Sequence, residues 1–151
     1  MLSSLRYQVV PLGDVPRGDL QHSDERGRGL VLVVHDEALV ADCMATLLTR
    51  AGFVARTAYE GTSALEMALA MTPDLLVSDV GIQGIDGIKL AVAVVNAMPK
   101  CKVLLFSSYE THAGMVSARE EGYDFPSLVK PVHPADVMKR VTACFACETV
   151  Q

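Results

Sequence analysis

The chain has 151 residues, is half apolar and 21% charged, and carries a net charge of −5, the composition of an ordinary globular protein. That length suits one domain with a real core, and the acidic balance argues against a nucleic-acid surface, which needs a basic face. No apolar run of about 18 residues is present to span a membrane and no secretory pattern opens the chain, so it reads as cytoplasmic.

Residues 1–28 mix charges with three glycines and two prolines and show little periodicity. They read as a flexible N-terminal arm with a short extended piece at Tyr7 to Val10, and the domain is placed at 29–148. From Leu30 onward, strand-like and helix-like runs alternate. A first strand over 30–35 leads to a helix over 37–51, whose apolar stripe is Val40, Met44, Leu47 and Ala51 and whose stop is Gly52. A strand over 53–58 precedes a helix over 62–71, ended by Pro73. The run Leu75-Leu76-Val77-Ser78 then closes on Asp79. A helix over 87–98, a strand over 102–107 and a helix over 110–121 follow. A last strand over 127–130 and a helix from Pro134 to Cys147 complete the pattern, with Pro134 suited to a first helical turn.

Five strands alternating with five helices give an α/β fold, a doubly wound five-stranded parallel sheet covered on both faces. The near-continuous apolar strands support this, because a sheet wetted on one side alternates. Right-handed crossovers bring every strand C-terminus to one edge, where open α/β sheets place their chemistry. Asp36, Asp79, Ser107 and Lys130 each close a different strand there. A carboxylate can attack phosphorus only if the developing charge is neutralised, and a hard divalent cation held by carboxylates does this. Asp36 and Asp79 are candidates to hold it, while Lys130 and the Ser107 hydroxyl can contact phosphoryl oxygens.

Four cysteines are too scattered for a disulfide framework. Cys144 and Cys147 have CxxC spacing, but at ~100° per residue Cys144 lies within about 20° of Val137 on the helix wheel. No second pair completes a tetrahedral zinc site, so packing is the simpler reading. Residues 88–98 include Ala91-Val92-Ala93-Val94-Val95, apolar nearly all round; a buried helix is the plain reading and a docking or dimer face the sharper one. His22, His112 and His133 read as solvated.

The pattern resembles the receiver domain of two-component response regulators, of flavodoxin-like fold, from residue 29 to about 147. Leu32-Val33-Val34-His35-Asp36-Glu37 is similar to the family's first-strand acidic motif. The segment from Pro73 through Asp79 to Gly87 is similar to its phosphoacceptor strand and loop. Leu105-Phe106-Ser107-Ser108 and Val129-Lys130-Pro131 match its last two strand ends, and Ala58 to Leu65 fits the second strand–helix junction. The resemblance implies that Asp79 accepts a phosphoryl group from a sensor histidine kinase or phosphotransfer protein with Mg²⁺ bound. Asp36, Asp79 and the Gly81 backbone carbonyl would be the metal ligands, with Glu37 or His35 behind them. Lys130 and Ser107 would register the phosphoryl group and switch a surface toward a downstream protein target. The chain would be a signalling module, not an enzyme.

Departures from the family pattern are specific. His35 stands at the first acidic position, which should weaken Mg²⁺ in a pH-dependent way. Gln83 replaces a loop proline. Ser127 occupies the place of a switch aromatic, with Phe125 two residues earlier. Tyr109, near the path of an attacking water, and small Gly81 opposite it would slow phosphoaspartate hydrolysis. Only Glu148 to Gln151 follow the last helix, so a stand-alone receiver is expected. The alternatives are a phosphorylation-independent receiver-like interaction module, favoured by His35, and an α/β enzyme, disfavoured because no glycine-rich phosphate loop follows the first strand.

Overall fold

Five runs rich in leucine and valine become strands in the computed structural model, which describes residues 27–150, and of 147–150 the backbone alone. These are β1 (Leu30–Val34), β2 (Val54–Ala58), β3 (Leu75–Asp79), β4 (Lys102–Ser107) and β5 (Ser127–Val129). Every pairing between them is parallel, in the spatial order β2-β1-β3-β4-β5. Between them run α1 (Ala38–Arg50), α2 (Gly61–Met71), α3 (Gly87–Ala97) and α4 (His112–Glu120), and α5 (Pro134–Val150) follows β5. The expected five-by-five alternation is therefore the observed one, with element ends moved by a residue or two at most positions.

The burial pattern explains the order. All five residues of β1 and of β3 are buried, as the central strands of a sheet covered on both faces must be. The edge strands β2 and β5 are only half-buried. Side chains alternate across the sheet, which splits the core in two. Leu32, Val34, Leu76, Val103 and Leu105 pack on one face with residues of α2, α3 and α4. Val31, Val33, Leu75, Val77, Leu104 and Phe106 pack on the other with Ala41 and Leu48 of α1 and Val137 and Val141 of α5.

Residues 1–26, including the extended piece read at Tyr7 to Val10 and His22, lie outside the described residues, as does the Cys147 side chain. Gly27 and Arg28, which the sequence placed in the arm, are docked on the domain. Gly27 pairs with Phe53, and Arg28 donates from its backbone to Gly52 and from its guanidinium to the Ala51 carbonyl at 2.9 Å. That guanidinium also lies 4.6 Å from the centre of the Phe53 ring. Cys144 packs at the border of the α1/α5 core, in line with the packing reading. Helix α3 buries Gly87, Leu90, Ala91 and Val94, and Ile88 and Val95 pack against the same core. It presents no large exposed hydrophobic side chain, so the docking-face reading of this helix is not supported.

Helix starts follow from local chemistry. The Glu60 carboxylate caps α2 by accepting from Thr62 N at 3.2 Å, and the Asp86 carboxylate caps α3 by accepting from Lys89 N at 2.8 Å. Such caps satisfy otherwise orphaned amides of a first turn. Gly87 begins α3 pressed against the strand that carries Asp79. A methyl group at Gly87 would overlap the Asp79 carbonyl oxygen and the Val80 Cα. Gly87→Ala is expected to cost about 1–3 kcal/mol and to lower Tm by roughly 3–10 °C, measured by thermal and urea denaturation.

Candidate phosphoacceptor site

The parallel register brings the strand ends level. Val34 pairs with Ser78, Asp79 with Phe106, and Ser107 with Val129. Beyond the strands the backbone stays tied: His35 N donates to the Ala58 carbonyl, Val80 N to Phe106 and Lys130 N to Ser107. Asp79 thus leaves the sheet at the centre of one edge, with His35 and Asp36 on one flank and Ser107 and Lys130 on the other. The loop after Asp79 is held by Gly87 N donating to Val80 O at 2.8 Å and Gly61 N donating to Gln83 O at 2.7 Å.

Asp79 is 4% exposed. Lys130 Nζ lies 2.6 Å from its Oδ1. The contact is not aligned as a hydrogen bond, so Oδ1 is buried with an ion-pair partner and no hydrogen bond. A buried carboxylate oxygen in that condition has spare capacity for a positively charged ligand. His35, 8% exposed, fills the space on the other side. Its Nε2 is 3.7 Å from Asp79 Oδ2 and its Nδ1 is 3.5 Å from Asp36 Oδ1. One ligand-type atom from each of His35, Asp36 and Asp79 falls within 4.8 Å of the others.

The expected residues sort as follows. Asp36, Asp79 and Lys130 come together as read from the sequence. Ser107, buried, closes the adjacent strand and lies beside Lys130 through the backbone hydrogen bond above. Gly81 sits two residues past Asp79, in open surroundings where an added Cβ would meet only the Thr111 methyl, at 4.0 Å. The Glu37 side chain is exposed and outside the cluster; Glu37 instead occupies the N-cap position of α1, and its backbone N–H donates to His35 Nδ1 at 3.0 Å. Tyr109, in the loop two residues past Ser107, is 95% exposed. Phe125 stacks on Tyr123 with ring centres 5.9 Å apart and packs against the α2–α4 core.

Two features escaped the sequence reading. Thr111 Oγ1 accepts from Ser108 N at 2.8 Å and so ties the loop after β4; a serine three residues before a threonine is too common to signal this. A cleft of about 400 Å³ also opens between α1 and α5, lined by Leu39, Cys43, Met44, Met138, Phe106 and Pro131, and it reaches His35 and Lys130 at the pocket. Leu39 at its rim is 75% exposed. Helix periodicity identified the α1 stripe but not the gap between two helices far apart in sequence.

A five-stranded parallel sheet with a desolvated aspartate, a paired lysine and a second acid at its C-terminal edge is an open α/β protein with its polar groups gathered where that class places its chemistry. Residues 31–142 match the family model of the response regulator receiver domain, and the chain belongs to that family. It is 32% identical over 104 residues to the DNA-binding transcriptional regulator NtrC of Escherichia coli K12, covering 69% of this chain and 22% of NtrC. It is 28% identical over 117 residues to the Regulator of RpoS from the same organism, covering 78% of this chain and 34% of that protein. A receiver domain crystal structure from Clostridium thermocellum superposes with a TM-score of 0.72 over 80% of this chain and 97% of that one, at 20% identity, which speaks for the fold. NtrX from Brucella abortus gives a TM-score of 0.70 at 26% identity, over 81% of this chain and 28% of that one. The chain thus spans about a fifth to a third of the curated relatives named here. Among the described residues no helix is long and apolar enough to cross a membrane.

Lys130→Met removes the charge beside a buried carboxylate. Breaking a fully buried pair costs about 3–5 kcal/mol; Lys130 is 38% exposed, and solvent screening reduces the expectation to about 1–2 kcal/mol, read as a lower urea midpoint with an unchanged slope.

Proposed function

We propose that this receiver domain accepts a phosphoryl group on Asp79 from a partner histidine kinase or phosphotransfer protein and passes the change on as a protein-interaction switch. The observation that carries this is the buried Asp79 carboxylate, with Lys130 on one oxygen and capacity left on the pocket side. In the transfer, an Asp79 oxygen attacks phosphorus, the new O–P bond forms, and the bond to the donor atom breaks with its electron pair leaving on the donor. Lys130 stabilises charge on the phosphoryl oxygens, and the Ser107 hydroxyl, at the end of the neighbouring strand, is the group that registers the new substituent.

The donor set suits Mg²⁺, a hard cation that takes one or two carboxylates and keeps its waters. Asp36 and Asp79 would hold it with the Gly81 carbonyl, and when bound it would neutralise charge on the transferred group. His35 contributes no charge in its neutral form, where an acid would add one. The chain makes no metabolite in this reading and is not an enzyme. The apolar cleft between α1 and α5, open beside Lys130 and His35, supports a partner that reaches Asp79 from that side. A cytoplasmic location belongs to the same proposal. Relatives such as NtrC extend well beyond the matched part.

Incubation with acetyl phosphate and Mg²⁺ should add one phosphoryl mass to the wild type, read by intact-protein mass spectrometry, and nothing to Asp79→Asn. Equal labelling of both, or of neither, removes Asp79 as the acceptor; no labelling of the wild type favours the phosphorylation-independent module. Restoring an acid with His35→Asp should tighten Mg²⁺ binding roughly tenfold, measured by calorimetric titration. Unchanged or weaker binding would show that the second-flank charge does not set the affinity.

A further inference from the structure

We infer that His35 is a hydrogen-bond donor to the transferred phosphoryl group through Nε2, and not a ligand of the cation; this rests on Asp79 being the phosphoacceptor. The inference comes from where the ring's one proton must be. His35 Nδ1 accepts the Glu37 backbone N–H at 3.0 Å. In a neutral imidazole one nitrogen accepts and the other donates, so the proton is on Nε2. That atom points at the acceptor carboxylate, 3.7 Å from Asp79 Oδ2, which is beyond hydrogen-bond length. Among the described residues Nε2 makes no hydrogen bond at all, and the side chain is 10% exposed. A donor on a side chain nine-tenths buried therefore has no protein partner among the described residues and lies beside the carboxylate that would be phosphorylated.

A cation needs a lone pair, and neither ring nitrogen offers one in this arrangement. The Nδ1 pair is taken by the Glu37 N–H. Glu37 also gives its carbonyl to Val40 N and Ala41 N, so releasing its amide would disturb the first turn of α1. Rotating the proton to Nδ1 would set it against that same amide. Phosphorylation, by contrast, adds three acceptor oxygens to Asp79, and one on the His35 side would come within reach of Nε2, which already lies 3.7 Å from Oδ2. The step balances without moving the histidine proton. The O–P bond forms at Asp79, the donor's P–O bond breaks, acetate departs with the electron pair when acetyl phosphate is the donor, and Nε2 keeps its hydrogen throughout. A neutral donor stabilises the developing negative charge yet adds no positive charge against Mg²⁺, which suits a pocket that has given up one acid.

The test compares wild type with His35→Leu, which has neither donor nor lone pair, and His35→Gln, whose amide restores a donor. Magnesium affinity is titrated calorimetrically without phosphodonor, and the initial rate of labelling by acetyl phosphate is measured by mass at saturating Mg²⁺. Expected for His35→Leu are a Mg²⁺ Kd within about twofold of wild type and a labelling rate at least about tenfold lower, below the roughly 10²–10³-fold loss of a sole oxyanion donor because Lys130 shares the charge. His35→Gln should recover part of that rate. Mg²⁺ binding weakened in His35→Leu with the rate following it would make His35 a ligand and overturn the inference. So would wild-type labelling by His35→Leu. Absence of label on the wild type, with or without Mg²⁺, would overturn both this inference and the phosphoacceptor reading, whereas a labelled wild type with an unaffected His35→Leu overturns this inference alone.

Discussion

Everything at the pocket depends on the five strands running the same way. Parallel pairing forces each chain reversal through a helix on one face or the other, so every strand ends at the same edge. Because β1, β3 and β4 are buried on both faces, their register cannot slip by one residue without exchanging the two cores. The consequence at residue level is that Asp79 must leave the sheet level with Phe106, one position short of Ser107. The carboxylate, the hydroxyl and the lysine are thus placed by the packing of leucines and valines up to about 13 Å below them, at about 3.3 Å per strand residue.

The electrostatics follow from that placement. Two carboxylates and one ammonium leave the site with a single net negative charge while His35 is neutral; an acid at that position would leave two. A site of one net negative charge still attracts a divalent ion, but less strongly, and in a desolvated pocket each charge counts for more than it would in water. Lys130 compensates Asp79 when nothing else is bound, which makes its short contact understandable: the carboxylate is 4% exposed and needs a partner. His35 fills the volume of a side chain at the first acidic position while its hydrogen bond to Glu37 N fixes which nitrogen faces the acceptor. A histidine in place of an acid thus removes a charge from the site and puts a directional donor there.

Where the sequence could be read and where it could not has a physical pattern. The buried strands β1, β3 and β4 were legible because continuous apolar runs admit few other structures at that length, and their terminal polar residues were legible because a polar group ending such a run has nowhere else to go. Gly52, Pro73 and Pro134 marked helix limits for reasons of backbone geometry alone. Contacts between elements were not legible. The hydrogen bond that commits the His35 proton to Nε2 depends on the backbone angle at Glu37, where the chain turns into α1. The loop after β4 is tied by Thr111 accepting from Ser108 N, a contact that its sequence does not announce. The cleft between α1 and α5 depends on how far apart two helices settle, which neither helix encodes by itself.

Side-chain alternation also divides the labour within the pocket. Asp79 shares its face with Leu75 and Val77, His35 with Val31 and Val33, and Lys130 with Leu128, all on the α1/α5 side. Ser107 shares its face with Val103 and Leu105, on the side of α2, α3 and α4. The residues that would receive and neutralise a phosphoryl group therefore belong to the layer with the open cleft, where a partner can approach. The hydroxyl belongs to the opposite layer, whose core contains Met115 of α4. Thr111, through Ser108 N, ties the loop that follows Ser107, and Met115 of α4 lies in the core on that side. The split between the two layers is a property of the pleat: adjacent residues of a strand point to opposite sides, and Phe106 and Ser107 are such a pair.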